Sequence, residues 1–147
     1  MNEPKIYCMT KNNNGYLTIE WSRLFKADRH YVSTSVPSVA GIFELYRMDE
    51  EKKLNLLTVT QAWYGGLRSQ IREAIEPTMR TNPEERALIE NYDLYCRYSV
   101  SNTLNDMKDA LWFLHMCYFN NKLNLENSNR FKKIYVKEEA PDQIHWV

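Results

Sequence analysis

The segment from Gly41 to Glu76 constrains what this chain can fold into more than any other part of the sequence. Residues 41–48 alternate in polarity, with Phe43 and Leu45 on one face, which predicts a β-strand. Residues 54–63 are rich in Leu, Val and Thr and predict a second strand. Because the link between them is short, we expect an antiparallel hairpin.

The sequence Tyr64-Gly65-Gly66 ends the second strand, and a short amphipathic helix is expected after it. Leu67, Ile71 and Ile75 are spaced so that they share one helix face. Pro77 cannot continue the helix, so we expect it to end there.

Three more elements complete the predicted fold. Asn82-Pro83 predicts the start of a second short helix, and residues 92–100 predict a third strand. Residues 104–120 predict a long, largely buried helix with Thr103 as its N-cap. We therefore expect an α/β (α+β) domain, a small three-stranded, mainly antiparallel sheet flanked by helices. The apolar stripe of the long helix contains Leu104, Met107, Ala110, Leu111, Phe113, Leu114, Cys117 and Tyr118.

A chain of 147 residues is expected to form a single domain. Within 1–147, residues 38–122 hold the predicted core. Residues 1–37 are expected to form an N-terminal extension, and residues 123–147 a C-terminal arm and tail.

The two flanks show only weak patterns. Residues 16–21 predict a short strand, residues 22–28 a helical turn, and Asn12 to Gly15 a turn. Residues 130–136 are expected to form a strand or an extended arm. The tail that ends in Trp146 is expected to fray.

Charge and apolar content exclude some functions. The 19 basic and 19 acidic residues cancel, so no overall field steers the protein to nucleic acid, although a local basic patch is still allowed. No segment approaches the roughly 18 consecutive apolar residues of a membrane-spanning helix. We therefore expect no membrane partner.

The cysteines Cys8, Cys96 and Cys117 are odd in number and match no metal or redox spacing. Cys96 and Cys117 lie in apolar stretches and are predicted to be core thiols. Reduced thiols indicate a cytoplasmic protein.

The sequence contains no phosphate loop, dinucleotide glycine pattern, Gly-x-Ser-x-Gly or His-Glu-x-x-His. His115 is the one histidine in a predicted helix or strand, and we expect it to be a hydrogen-bonded core or edge residue. No cofactor and no metal site is therefore expected from sequence patterns alone.

The turn before the first helix holds the most notable polar cluster. Gly65 and Gly66 would let a ligand approach the backbone closely. Arg68 and Arg72 lie one helical turn apart and are suited to a phosphate group. With Tyr64 they are the candidate ligand-binding residues. The alternative is an ordinary strand-to-helix turn with a solvated arginine face.

A second cluster depends on the register of the hairpin. Glu44 and Tyr46 share one face of the first strand, and Tyr64 would lie near them in a simple register. A Tyr base, a carboxylate and an Arg are groups that support phosphodiester hydrolysis. Tyr64, Arg72 and Glu44 are therefore candidate catalytic residues. The alternative is a structural cross-strand aromatic pair.

The order of these elements resembles the GIY-YIG endonuclease domain over roughly residues 38–122. That family has a strand carrying Gly-Ile-Tyr, a strand ending in Tyr-Ile-Gly, a helix with a catalytic Arg, a third strand, and a helix with a metal-binding Glu. Gly41-Ile42-Phe43 stands at the first motif, Tyr64-Gly65-Gly66 at the second, and Arg72 on the helix. Asp109-Ala110-Leu111 is similar to the Asp-Ala start of the later helix.

Several residues depart from that pattern. Phe43 replaces the Tyr of the first motif, and Gly65 replaces the aliphatic residue of the second. Arg72 follows Gly66 sooner than usual. Leu114 stands where the family has Glu, and it cannot hold Mg²⁺, which requires oxygen ligands. The resemblance therefore implies a degenerate GIY-YIG-like domain.

Three functions are left as hypotheses. The first is a catalytically inactive module that binds DNA, RNA or another phosphate ligand. The second is a protein-interaction or homodimer-forming module, with a surface that would use Tyr7, Trp21, Tyr31 and Trp146. The third is a divergent nuclease in which Glu44 or Asp109 holds Mg²⁺.

Overall fold

The computed structural model describes residues 3–141. Within them the chain forms seven strands and four α-helices. Trp146 and the end of the predicted tail lie outside the described residues. In chain order the elements are β1 (Ile6–Lys11), β2 (Asn14–Glu20), β3 (Phe25–Lys26), α1 (Arg29–Ser35), β4 (Gly41–Met48), β5 (Leu54–Ala62), α2 (Gly66–Ala74), a 3₁₀ turn (Pro77–Met79), α3 (Pro83–Asn91), β6 (Leu94–Val100), α4 (Leu104–Phe119) and β7 (Lys133–Glu139).

The first sheet has the strand order β3-β6-β4-β5, and every neighbouring pair is antiparallel. It confirms the predicted hairpin, in which Gly41 pairs with Ala62 and Met48 with Leu54. The fourth strand, β3, was not expected. It pairs Phe25 with Cys96 in a segment for which a helical turn was predicted, and that prediction is wrong. A strand of two residues is too short to show an alternation of apolar and polar side chains in the sequence.

The second sheet, with the order β1-β2-β7, joins the two flanks of the chain. β1 and β2 form a hairpin closed by Asn12 and Asn13, whose φ angles of +52° and +64° suit a two-residue turn. β7 pairs in parallel with β2, so that Asn14 lies opposite Lys133. The domain is therefore α+β, as predicted, but it has two sheets of four and three strands instead of one sheet of three.

The first sheet separates two hydrophobic cores. Phe43 and Leu45 point into the core that contains residues of α1, α2 and α3. Ile42 and Val59 point into the other core, which contains residues of α4 and the second sheet. The alternation predicted for β4 is confirmed.

The buried face of α4 is narrower than predicted. Leu104 is 46% exposed and Cys117 is also exposed, so their assignment to the core is wrong. Thr103 is the N-cap residue, but its side chain makes no capping hydrogen bond. Asp106 and Asp109 occupy buried positions on the helix instead.

These two aspartates bind the segment that leads into β7. Asp109 is fully buried, and its oxygens accept from Ser128 N at 2.6 Å, Ser128 Oγ at 2.8 Å and Arg130 Nη2 at 2.7 Å. The same Arg130 nitrogen donates to Asp106 at 2.9 Å. A buried carboxylate needs such partners, so this ion pair fixes the connection between α4 and β7.

Replacing Arg130 with Ala is expected to lower the free energy of unfolding by about 1.5–3 kcal/mol, because buried Asp109 would lose its charged hydrogen-bond donor and keep only those of Ser128. Urea denaturation measures the loss. Lys132→Ala, at an exposed neighbouring position, is the matched control and should change stability by less than about 0.5 kcal/mol. Equal losses in the two variants would contradict the role given to Arg130.

Candidate functional site

The loop before β4 covers the turn between β5 and α2. Gly65-Gly66 adopts left-handed backbone angles, with φ of +79° and +76°. The first amides of α2 donate to the loop before β4, Leu67 N to Val39 O at 2.8 Å and Arg68 N to Pro37 O at 3.2 Å. These carbonyls occupy the position at which a helix start would bind an anion.

Gly66 and Arg68 both hold this loop in place. A Cβ on Gly66 would lie 2.7 Å from the carbonyl carbon and oxygen of Ser38. The Arg68 Nε donates to Val36 O at 2.8 Å. Packing therefore accounts for both residues, and the ligand-binding roles predicted for Gly65, Gly66 and Arg68 stay predictions.

Tyr64 and Arg72 do not share one pocket. The Tyr64 residue is 83% exposed, and its carbonyl accepts from Gln70 Nε2 at 3.0 Å. Arg72 lies further along α2, roughly 9 Å in helical rise from the first helical residue, Gly66. It lines a pocket to which Tyr64 does not contribute.

The expected proximity of Glu44 and Tyr64 is wrong. The register places Glu44 opposite Val59, whereas Tyr64 lies beyond the end of β5 at Ala62, which is opposite Gly41. Glu44 is also fully buried, whereas Tyr64 is exposed. Only the proximity of Glu44 and Tyr46 on one face of β4 is confirmed, since Tyr46 Oη donates to Glu44 Oε1 at 2.7 Å.

Glu44 belongs instead to a buried polar network between the two sheets. Arg97 on β6 pairs with Glu44 and lies over the ring of Trp21, 4.5 Å from its centroid. Glu138 on β7 accepts from Trp21 Nε1 at 2.8 Å and from Tyr118 Oη at 3.1 Å. Its Oε1 lies 3.9 Å from Arg97 Nη2.

The electrostatics of this network do not suit catalysis. Burial raises the pKa of Glu44, although the adjacent Arg97 opposes that shift. Burial, followed by the neighbouring Glu44, also raises the pKa of Tyr46. A tyrosine base requires a lowered pKa, so Tyr46 is not an activated base. We assign the network a structural role.

The described residues provide no ligand set for a metal. Asp109 is held by Ser128 and Arg130, and Glu44 by Arg97. Across residues 3–141 no group of three or more His, Cys, Asp or Glu side chains could hold a metal ion. The hypothesis that Glu44 or Asp109 holds Mg²⁺ therefore gains no support.

The structure also separates two of the positions at which the chain departs from the GIY-YIG pattern. Phe43 is buried in the core on the α2 side of the first sheet. Leu114 is buried in the core on the α4 side. A Tyr at position 43 and a Glu at position 114 would therefore lie on opposite faces of the sheet.

His115 and one cysteine are placed as predicted. His115 is 4% exposed, and its Nε2 lies 2.7 Å from Val59 O, which confirms a hydrogen-bonded core histidine. Cys96 is buried, whereas Cys117 is exposed and Cys8 is partly buried.

The aromatic residues proposed as an interaction surface are dispersed. Trp21 is buried at 3% exposure, so its assignment to a surface is wrong. Tyr31 packs on Phe25 with ring centroids 5.0 Å apart, and Tyr7 lies on β1. Trp146 lies outside the described residues.

Arg72 lines a pocket of about 460 Å³ between α1, α2, α3 and β6. Its floor is apolar, formed by the buried residues Ala27, Ile89 and Leu94. Tyr92 stands at one side. The volume lies in the range of small-molecule sites.

The rim of this pocket carries three cations, Lys26, Arg29 and Arg72. Lys26 Nζ lies 3.5 Å from Asp93. The side chains of Arg29 and Arg72 make no hydrogen bond or ion pair with any residue in 3–141. Two exposed guanidinium groups are therefore available at the pocket mouth.

Three acids also line the pocket. Asp93 is paired with Lys26, and Glu76 Oε1 accepts from Thr78 Oγ1 at 3.2 Å. Glu73 remains beside the two arginines. The three cations and three acids of the lining balance, so the pocket carries no net charge, but the guanidinium groups of Arg29 and Arg72 form no ion pair with a described residue.

Sequence reasoning missed Lys26 and Arg29 as pocket residues. Lys26 lies in the segment 22–28 that was predicted as a helical turn, and Arg29 follows that segment. The available signal was Asp28, which caps α1 by accepting from Tyr31 N at 2.8 Å, so that Arg29 begins the helix.

Fold and site together define a mixed α+β domain with a small pocket that two unpaired arginines line, and with no metal-ligand cluster among its described residues. The chain belongs to a protein family described as "Uncharacterised protein", whose model matches residues 5–147. No curated protein and no solved structure matches the chain. None of the helices in residues 3–141 is both long and apolar enough to span a bilayer. The GIY-YIG resemblance stays a prediction.

Gly66→Ala is expected to destabilise the protein more than Gly65→Ala. Both substitutions place Ala at positive φ, which costs about 1–2 kcal/mol. Only the Gly66 variant adds a backbone clash, since a Cβ at Gly65 would lie 3.3 Å from the Ser69 side chain. Thermal and urea unfolding measure the difference. Equal losses would show that the loop does not press on Gly66.

Arg97→Leu is expected to cost about 3–5 kcal/mol of folding free energy, because it leaves Glu44 buried and unpaired. Adding Glu44→Leu should recover at least about 1 kcal/mol of that loss. Urea denaturation of wild type, both single variants and the double variant gives the coupling. Additive losses would contradict a paired charge.

Proposed function

We propose that this chain is a non-catalytic module that binds a phosphate-bearing ligand, a nucleotide or a nucleic-acid segment, in the pocket beside Arg72. The observation that carries this proposal is the pair of guanidinium groups of Arg29 and Arg72 above an apolar floor. Guanidinium groups match the geometry and charge of phosphate. An apolar floor next to Tyr92 suits the flat ring of a base.

Binding without cleavage is supported by the state of the acidic groups. Glu44 and Asp109 are buried in ion pairs with Arg97 and Arg130. Burial raises the pKa of Tyr46, the tyrosine that is hydrogen-bonded to Glu44, so Tyr46 is not an activated base. The chain resembles a degenerate GIY-YIG domain in the order of its strands and helices. That resemblance agrees with binding without cleavage.

A cytoplasmic location is part of the same proposal. The described chain holds Cys8, Cys96 and Cys117 as free thiols. Burial raises the pKa of the Cys96 thiol, which makes it a poor nucleophile. Free thiols of this kind are typical of a reducing compartment.

Calorimetric titration with AMP tests the pocket, since one nucleotide is comparable to it in size. Wild type should bind AMP, and adenosine should bind at least about tenfold more weakly because it lacks the phosphate. Arg29→Gln/Arg72→Gln should weaken AMP binding by at least about tenfold. Titrations with inorganic phosphate and a 5′-phosphorylated dinucleotide distinguish a bare anion from a nucleic-acid segment.

The matched control is Arg23→Gln/Lys108→Gln, which removes the same charge from two exposed positions that do not line the pocket. Its AMP affinity should equal that of wild type. If both double variants lose affinity equally, net charge and not the pocket governs binding, and the proposal fails. Absence of binding by wild type also refutes it.

A further inference from the structure

The outer face of the second sheet carries a row of exposed apolar side chains. Met9, Tyr16 and Tyr135 lie side by side on β1, β2 and β7. Their exposed fractions are 69%, 41% and 46%. The rings of Tyr16 and Tyr135 are stacked, with centroids 5.1 Å apart and planes 12° from parallel.

This row is not needed for the core. Alternate residues of the same strands, such as Leu17, Ile19 and Val136, face the opposite side and pack in the second core. A contiguous row of large apolar groups in solvent, unlike scattered ones, indicates a contact surface.

Basic side chains flank the row. On one side the register aligns Lys11, Asn14 and Lys133. Lys11 and Lys133 form no ion pair with a described residue. On the other side Lys137 lies in register with Thr18, and its Nζ pairs with Glu139 at 3.0 Å.

The acidic groups of this face lie further away. Glu20 and Glu139 are opposite each other, two register steps beyond the tyrosine pair. The two rows next to the rings therefore carry lysines and neutral side chains only, since Tyr7 completes the row that contains Thr18. The local charge at the rings is positive.

We propose that this face binds single-stranded nucleic acid, with bases stacked on Tyr16 and Tyr135 and phosphates held by Lys11 and Lys133. Exposed aromatic rings on a sheet, beside lysines, provide the stacking and electrostatic contacts that single strands use. A duplex hides its base faces, so it would gain only the electrostatic part. The three strands span roughly 10 Å, which is room for about two bases.

A second copy of the chain fits this face less well. Two-fold pairing of the same face would bring the lysines of the two copies close together, and like charges in contact are unfavourable. The single-strand site uses none of the pocket residues. It therefore goes beyond the proposed function and stands or falls independently of it.

Fluorescence anisotropy at low salt tests this site, with labelled 12-nucleotide poly(U) and poly(dT) and a 12-base-pair duplex as probes. Tyr16→Ala/Tyr135→Ala should weaken single-strand binding by at least about tenfold. Tyr16→Phe/Tyr135→Phe should stay within about threefold of wild type, because Phe keeps the stacking surface. Circular dichroism checks that both variants fold.

Two further variants assign the contacts. Lys11→Gln/Lys133→Gln should reduce the slope of log affinity against log salt by roughly 1.4. Tyr16→Ala/Tyr135→Ala should weaken single-strand binding by the same factor in the Arg29→Gln/Arg72→Gln background as in wild type, and it should leave AMP affinity unchanged. Each proposal can thus fail without the other.

Equal affinity for duplex and single strand would overturn the inference. So would wild-type affinity in the Ala/Ala variant, or equal weakening in the Phe/Phe variant. Light scattering tests whether this face instead forms a dimer. A dimer that Tyr16→Ala/Tyr135→Ala dissociates, in a protein that binds no oligonucleotide, would assign the face to self-association and overturn the inference.

Discussion

The buried pairing of Arg97 with Glu44 is the interaction on which the rest of the structure depends. The two residues lie directly opposite each other on β6 and β4. A guanidinium in a core is tolerated only with its counter-charge, and a one-residue slip would place Arg97 on the other face of the sheet. Trp21 and Glu138 complete the network from the second sheet, so the same charge pair also orients that sheet.

This constraint also decides where a ligand can bind. The α4 side of the first sheet is filled by the network and by the second core, and the Glu44 carboxylate there is paired through its Oε1 with Arg97. The accessible polar groups lie elsewhere. One set surrounds the pocket near Arg72, and the other covers the outer face of β1, β2 and β7.

Local patterns predicted the parts of the fold that depend on neighbouring residues. The period of residues 41–48 and the apolar stripe of α4 identified β4 and most of the buried helix face. The second sheet could not be found in this way, because β2 and β7 are far apart in sequence and β7 alternates weakly. The burial of Glu44 was not predicted, because a carboxylate that faces a buried partner is indistinguishable in sequence from one that faces solvent. The sequence showed Gly66 and Arg68 as a pattern, but it could not show that the loop at Ser38 packs against them.

The parallel pairing of β2 with β7 has a consequence for synthesis of the protein. Gly15 lies opposite Ile134, so the second sheet cannot close until nearly all of this sequence has left the ribosome. Until then the edge of β2 is unpaired and the apolar side of the hairpin is uncovered. Contacts of such long sequence separation slow folding. The stacked Tyr16 and Tyr135 rings come from opposite ends of the chain, so their surface exists only on a fully folded molecule.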